Sequence, residues 1–111
     1  VSFLFRLQAK LDPGESVVLA SNSNPEAFAK RYPRLEVYGW YKGLLANSGE
    51  RLALENTEGI EVLKFKYNNK APWPIAEDSQ GRSLQIIDPL VDANNPANWK
   101  HSPQIGGTPG K

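Results

Sequence analysis

The stretch from Asn47 to Pro74 limits the possible folds most, because it joins a strict alternation of side chains to a turn and then to a stop. Glu50, Arg51, Leu52, Ala53, Leu54 and Glu55 alternate polar with apolar, as a strand with one wet and one covered face requires, so Leu52 and Leu54 are expected to face inward. Asn56, Thr57, Glu58 and Gly59 form the turn, ending in the residue that tolerates positive φ. Ile60 to Tyr67 then reads as the returning strand, with Leu63, Phe65 and Tyr67 on one face and Lys64 and Lys66 on the other, wet one. Pro72 and Pro74 bracket Trp73. Two residues without a free amide cannot continue a ladder, so the sheet stops there and the indole folds back over the chain.

A chain of 111 residues supports one domain, 1–111, with one core that removes roughly 65% of the unfolded chain's surface from water. Thirteen basic and twelve acidic residues give a net charge of +1, too even to point to a nucleic acid or an anionic membrane. Cysteine is absent, which excludes disulfides, thiol catalysis and thiolate metal sites. No apolar run reaches the roughly 18 residues of a membrane span, and the opening residues lack the pattern of an export signal. The chain starts at Val1 and contains no methionine, and it reads as a piece of a longer protein.

Along the chain, Val1, Phe3, Phe5 and Leu7 alternate with Ser2, Leu4 and Arg6, the pattern of an opening strand. Pro13 and Gly14 supply the two φ values of a type II turn, and Val17 to Ala20 reads as a strand buried on both faces. Asn24, Pro25 and Glu26 give a cap, a proline at the first helical position and a carboxylate near the positive end of the dipole. That predicts a short helix over 25–32 with Phe28 and Tyr32 on one face, ended by Pro33. Leu35 to Tyr41 reads as a strand with a bulge at Gly39. Glu77 to Arg82 is polar and expected to be exposed. Ser83 to Asp88 is expected to be the last strand, Asp88 capping its end before Pro89, and 90–111 a loop-rich tail anchored by Trp99. Six strands, one helix and no repeat argue for an all-β antiparallel sandwich or barrel rather than a parallel sheet with crossover helices.

Several of these stretches act together as a pattern. They are Leu11, Pro13, Gly14 and Glu15 with Val17 to Ala20; Phe28, Arg31 and Tyr32; Leu44 with Asn47, Ser48, Gly49, Glu50, Arg51, Leu52 and Leu54; Pro72, Trp73 and Pro74; Ser83, Leu84, Ile87, Asp88 and Pro89; Asn94, Asn95, Pro96, Asn98 and Trp99; and Gly107 to Gly110. In order and spacing, over nearly the whole chain, they resemble the bacterial branch of the lamin tail domain family. The resemblance implies an immunoglobulin-like antiparallel sandwich, incomplete at the N-terminus, because members begin with further strands that nothing before Val1 supplies. It also implies a non-catalytic interaction or scaffolding module of a secreted or cell-surface protein, bound to a protein partner or to neighbouring domains. A sandwich lacking its first strands is expected to associate with another copy, or exchange strands, through an unpaired edge. Elementary physics gives the matched residues structural roles: Gly49, after Asn47 and Ser48, permits a tight entry to the hairpin, and Trp73 and Trp99 each close one end of the core.

Chemistry-bearing groups are few. His101, the single histidine, sits beside Lys100 and Ser102 with no partner that would make it a general base, and is expected at the solvated surface. Asp88, Asp92, Asn94 and Asn95 are hard oxygen donors of the kind calcium takes, but they lack the glycine and bidentate glutamate of a helix-loop-helix site, and side-chain turns explain them as well. Lys42, Lys64, Lys66 and Lys70, near Tyr41 and Tyr67, are one way to line a strip for a nucleic-acid strand, although lysines on a wet strand face chiefly deter edge pairing. No cofactor and no catalytic residue is expected, and nucleic-acid binding stands as the alternative to protein binding.

Overall fold

The computed structural model describes residues 1–6, 8–74 and 81–110. These form small sheets and one short helix, in two compact units, Val1–Leu45 with the residues from Pro109 and Ala46–Thr108.

In the first unit, β1 (Leu19–Ser21) runs parallel to β2 (Gly39–Tyr41) in the register Leu19↔Gly39, Ala20↔Trp40, Ser21↔Tyr41. Helix α1 (Pro25–Arg31) lies between them in sequence and begins as its residues dictate: the Asn24 side chain accepts from the Ala27 amide at 3.1 Å and proline opens the first turn. Phe28 and Tyr32 meet with ring centroids 5.0 Å apart, and Phe28 meets Trp40 edge-to-face at 5.8 Å. A parallel pair joined through a helix corrects the expectation that every pairing is antiparallel. Parallel strands need a long crossover, and the segment that supplies it is the one whose capping residues already marked a helix.

Three other expectations about this unit are corrected. The described opening residues, 1–6, form no strand: Ser2 makes an isolated bridge to Lys42, while Phe3 and Phe5 pack on each other at 4.9 Å and on Tyr38. Ring packing, not a ladder, fixes that segment. Val17 is 38% exposed and only Ala20 of the Val17–Ala20 run is buried. Gly39 begins β2 in regular register rather than forming a bulge; a Cβ there would overlap the Phe3 ring.

The second unit holds two antiparallel pairs. β3 (Arg51–Glu55) pairs with β4 (Glu61–Lys66), and β5 (Arg82–Ile86) with β6 (Trp99–Ile105). β6 is the main departure from expectation, because 99–105 was expected to be loop. Between Arg82↔Ile105 and Leu84↔His101, Ser83 faces three residues, Ser102 to Gln104. That bulge accommodates Pro103, and the buried Ser102 hydroxyl secures it by accepting from the Ser83 amide at 3.0 Å and donating to the Gln104 carbonyl at 2.6 Å. Arg82 is half-buried at the start of β5, and the expectation for Glu77 to Gln80 lies outside the described residues. Among the described residues no helix is long and apolar enough to cross a membrane.

Candidate interaction surface

The β3–β4 hairpin is built as its alternation requires, with one irregularity. Its turn is closed by Asn56, whose Oδ1 accepts from the Glu58 and Ile60 amides at 2.9 and 3.0 Å, while Gly59 takes φ +78°. The register runs Arg51↔Lys66, Leu52↔Phe65, Ala53↔Lys64 and Leu54↔Leu63, then slips so that Glu55 faces Glu61. That slip inserts Val62 as an extra residue, which turns Glu61 onto the wet face beside Arg51 and Lys64. There the Glu61 carboxylate accepts from the Arg51 guanidinium and lies 4.0 Å from the Lys64 ammonium. The hydrogen bond from Arg51 holds the Glu61 carboxyl below the usual range against the opposing effect of desolvation, with help from the charges of Arg51 and Lys64.

The other face is partly covered. Phe65 packs on Trp99 at 5.4 Å and Trp99 on Trp73 at 5.8 Å, so the two indoles meet instead of closing separate ends of a core. Trp99 Nε1–H donates to the Ala93 carbonyl at 2.8 Å, which gives the buried part of the ring its polar partner. Leu54 and Leu63 remain 43% and 49% exposed, whereas Leu52, Phe65 and Tyr67 of this face are half-buried as expected.

The entry to the hairpin explains its motif. Gly49 sits at φ +116°, where a Cβ would strike the Tyr67 carbonyl oxygen. Glu50 Oε1 accepts from the Ala46 amide at 2.6 Å, and the Tyr67 hydroxyl donates to the Ala46 carbonyl at 2.5 Å. Asn47 and Ser48 are exposed.

The two edges of the hairpin differ. On the outer side of β4, Asn94 Oδ1 accepts from the Lys66 amide at 3.1 Å and Asn94 Nδ2 donates to the Lys64 carbonyl at 3.4 Å. One carboxamide thus makes the bonds that a neighbouring strand's peptide group would make. Together with the Val62 bulge it closes that edge. An amide that reaches Asn94 points away from β3, and residues opposite each other in an antiparallel ladder turn their backbone groups both inward or both outward. Arg51 and Ala53, opposite Lys66 and Lys64, therefore turn theirs to the outer side of β3, and alternation carries Glu55 with them. Leu52, Leu54 and Asn56 turn inward, in agreement with the Asn56 amide donating to the Ile60 carbonyl at 2.9 Å. Among the described residues β3 has no neighbour on its outer side.

The residues singled out for chemistry are placed as follows. Asp88 Oδ1 accepts from the Leu90 amide, Asp92 Oδ1 from the Asn94 amide and Asn95 Oδ1 from the Ala97 amide, at 2.9, 2.9 and 3.1 Å. With Asn94 on β4, all four are engaged in shaping their own loops or a strand edge. Among the described residues no three His, Asp or Glu side chains gather as a metal site would. His101 is half-buried in β6 opposite Leu84, in a strand rather than in a loop. Lys64 and Lys66 lie on the wet face as expected, but Phe65 and Tyr67, the aromatic neighbours a base would stack on, belong to the opposite face. The Lys70 amide is tied to Asn68 in the loop beyond β4, and Lys42, in the other unit, bridges Ser2 through its backbone. Sequence reasoning missed Asn94 as an edge clip, since it lies 28 residues from Lys66. Searches of family models, curated proteins and solved structures return no match to this chain.

Proposed function

We propose that the chain is a non-catalytic interaction module of the lamin tail type, an immunoglobulin-like sandwich within a larger secreted or surface protein, which holds a protein partner or a neighbouring domain. One observation carries the reading: the polar side chains best suited to chemistry are engaged in loop geometry, while the hairpin offers bare backbone and apolar surface. Asn24, Asn56, Asp88, Asp92, Asn94, Asn95 and Asn98 each bond backbone groups of loops, caps or edges. Leu54, Ile60, Val62 and Leu63 stay 43–59% exposed. The lamin tail pattern supports the finer reading, because in such a sandwich a second sheet covers a face like that of Leu52, Leu63 and Phe65.

The test has two arms. Methyl NOEs in solution are expected from Leu54 and Leu63 to side chains of a second sheet, and a screen of ester, phosphodiester and glycoside substrates is expected to show no turnover. A sheet face left wet in solution would remove the sandwich. Turnover that follows the protein through purification would remove the non-catalytic reading.

A further inference from the structure

The open edge of β3 carries a sequence that complements itself. Its five residues read Arg51, Leu52, Ala53, Leu54, Glu55, and when the strand is laid antiparallel on a copy of itself about Ala53, each Arg51 falls opposite a Glu55, each Leu52 opposite a Leu54, and Ala53 opposite Ala53. The backbone groups agree with that register. Arg51, Ala53 and Glu55 turn their N–H and C=O outward, so they form the doubly bonded pairs of an antiparallel ladder. The side chains are accessible: the Arg51 side chain is 54% exposed, and Ala53 and Glu55 are exposed. Glu55 has no ion pair among the described residues.

We propose that a second copy of this chain docks on β3, forming a two-fold, four-stranded sheet in the order β4, β3, β3, β4. This deepens the interaction-module reading by naming the partner of one edge. The arrangement is isologous, so each contact occurs twice: two Arg51–Glu55 pairs flank a central Ala53 pair, and four leucines line one face. The β4 edge is the poorer candidate for self-pairing. Asn94 and the Val62 bulge occupy it.

Sedimentation of the full chain is expected to show the mass rising with concentration toward that of two copies. Arg51→Glu and Glu55→Arg alone each place like charges opposite one another twice, and each is expected to weaken association by at least about tenfold. Mixed, the two variants pair every reversed charge with its opposite and restore association as a heterodimer. Ala53→Pro, tolerated on an edge whose amide faces solvent, abolishes pairing while the hairpin stays folded, which covers the case in which Arg51→Glu disturbs the hairpin through the loss of its bond to Glu61. The chain has no cysteine, so Ala53→Cys is expected to cross-link to itself on mild oxidation, since doubly bonded antiparallel pairs place Cα atoms about 5.5 Å apart. A monomer at every concentration, dimers indifferent to Ala53→Pro, or a mixture that fails to recover would overturn the proposal. None of these outcomes bears on turnover, so the interaction-module reading would survive them.

Discussion

Gly39 matters for the space its missing side chain leaves rather than for its backbone freedom. The Phe3 ring fills the place of a Cβ, and that ring also meets Phe5 and Tyr38. Gly39→Ala therefore forces the ring out, and is expected to cost about 1–3 kcal/mol, as overpacked sites do; urea unfolding measures it. Asn98 works in the opposite way, by what its side chain supplies. At 5% exposure its carboxamide accepts from the Asp88 amide at 3.0 Å and donates to the Asp88 and Val91 carbonyls at 2.9 and 3.3 Å. Asn98→Ala leaves those groups without partners and is expected to destabilise the fold by about 3 kcal/mol. Asn98→Asp keeps the acceptor but loses both donors, so it recovers little of that in the same measurement.

At the scale of elements, the hairpin's ion pair sets a pH dependence of known sign. Glu61 titrates below its ordinary value in the fold, so its contribution is complete above the unfolded-state value and fades as the pH falls through the folded one. Between about pH 5 and about pH 3, Glu61→Gln is expected to lose less stability than the parent, measured by denaturant midpoints at each pH. The contribution is small, because the pair is surface-exposed. The hairpin and α1 were legible because each announces itself locally: a period of two around an Asn-to-Gly turn, and an Asn-Pro-Glu start closed by Pro33. β6 was not, because its best-buried residue is Ser102 and its middle holds Pro103, the reverse of an alternating apolar strand. It is held by its ladder to β5 and by the Ser102 hydroxyl, which accepts from the Ser83 amide, a contact between residues 19 apart. β1 and β2 are shorter than their apolar runs predict, since short parallel strands take their limits from the partner and not from their own apolar run. Of the interaction surface, the wet lysine face could be read from alternation, whereas the difference between the two edges depends on Asn94 and could not.

For the molecule as a whole, the division into two units makes a prediction about opening. Local opening follows cooperative units, so Gly39→Ala is expected to speed amide exchange within Val1–Leu45 while leaving Ala46–Thr108 near the parent's rates; Asn98→Ala is expected to do the reverse. Hydrogen exchange read residue by residue checks both, and equal acceleration throughout would mean that the chain opens as one. The Asn94 clip has its own consequence at this scale. A molecule with one adhesive end stops at a pair, whereas a molecule with two adds copies without limit. By closing one side of the hairpin, the Asn94 carboxamide and the Val62 bulge separate a finite assembly from a growing fibre, and light scattering that climbs with time in Asn94→Ala would reveal the carboxamide's share in that closure.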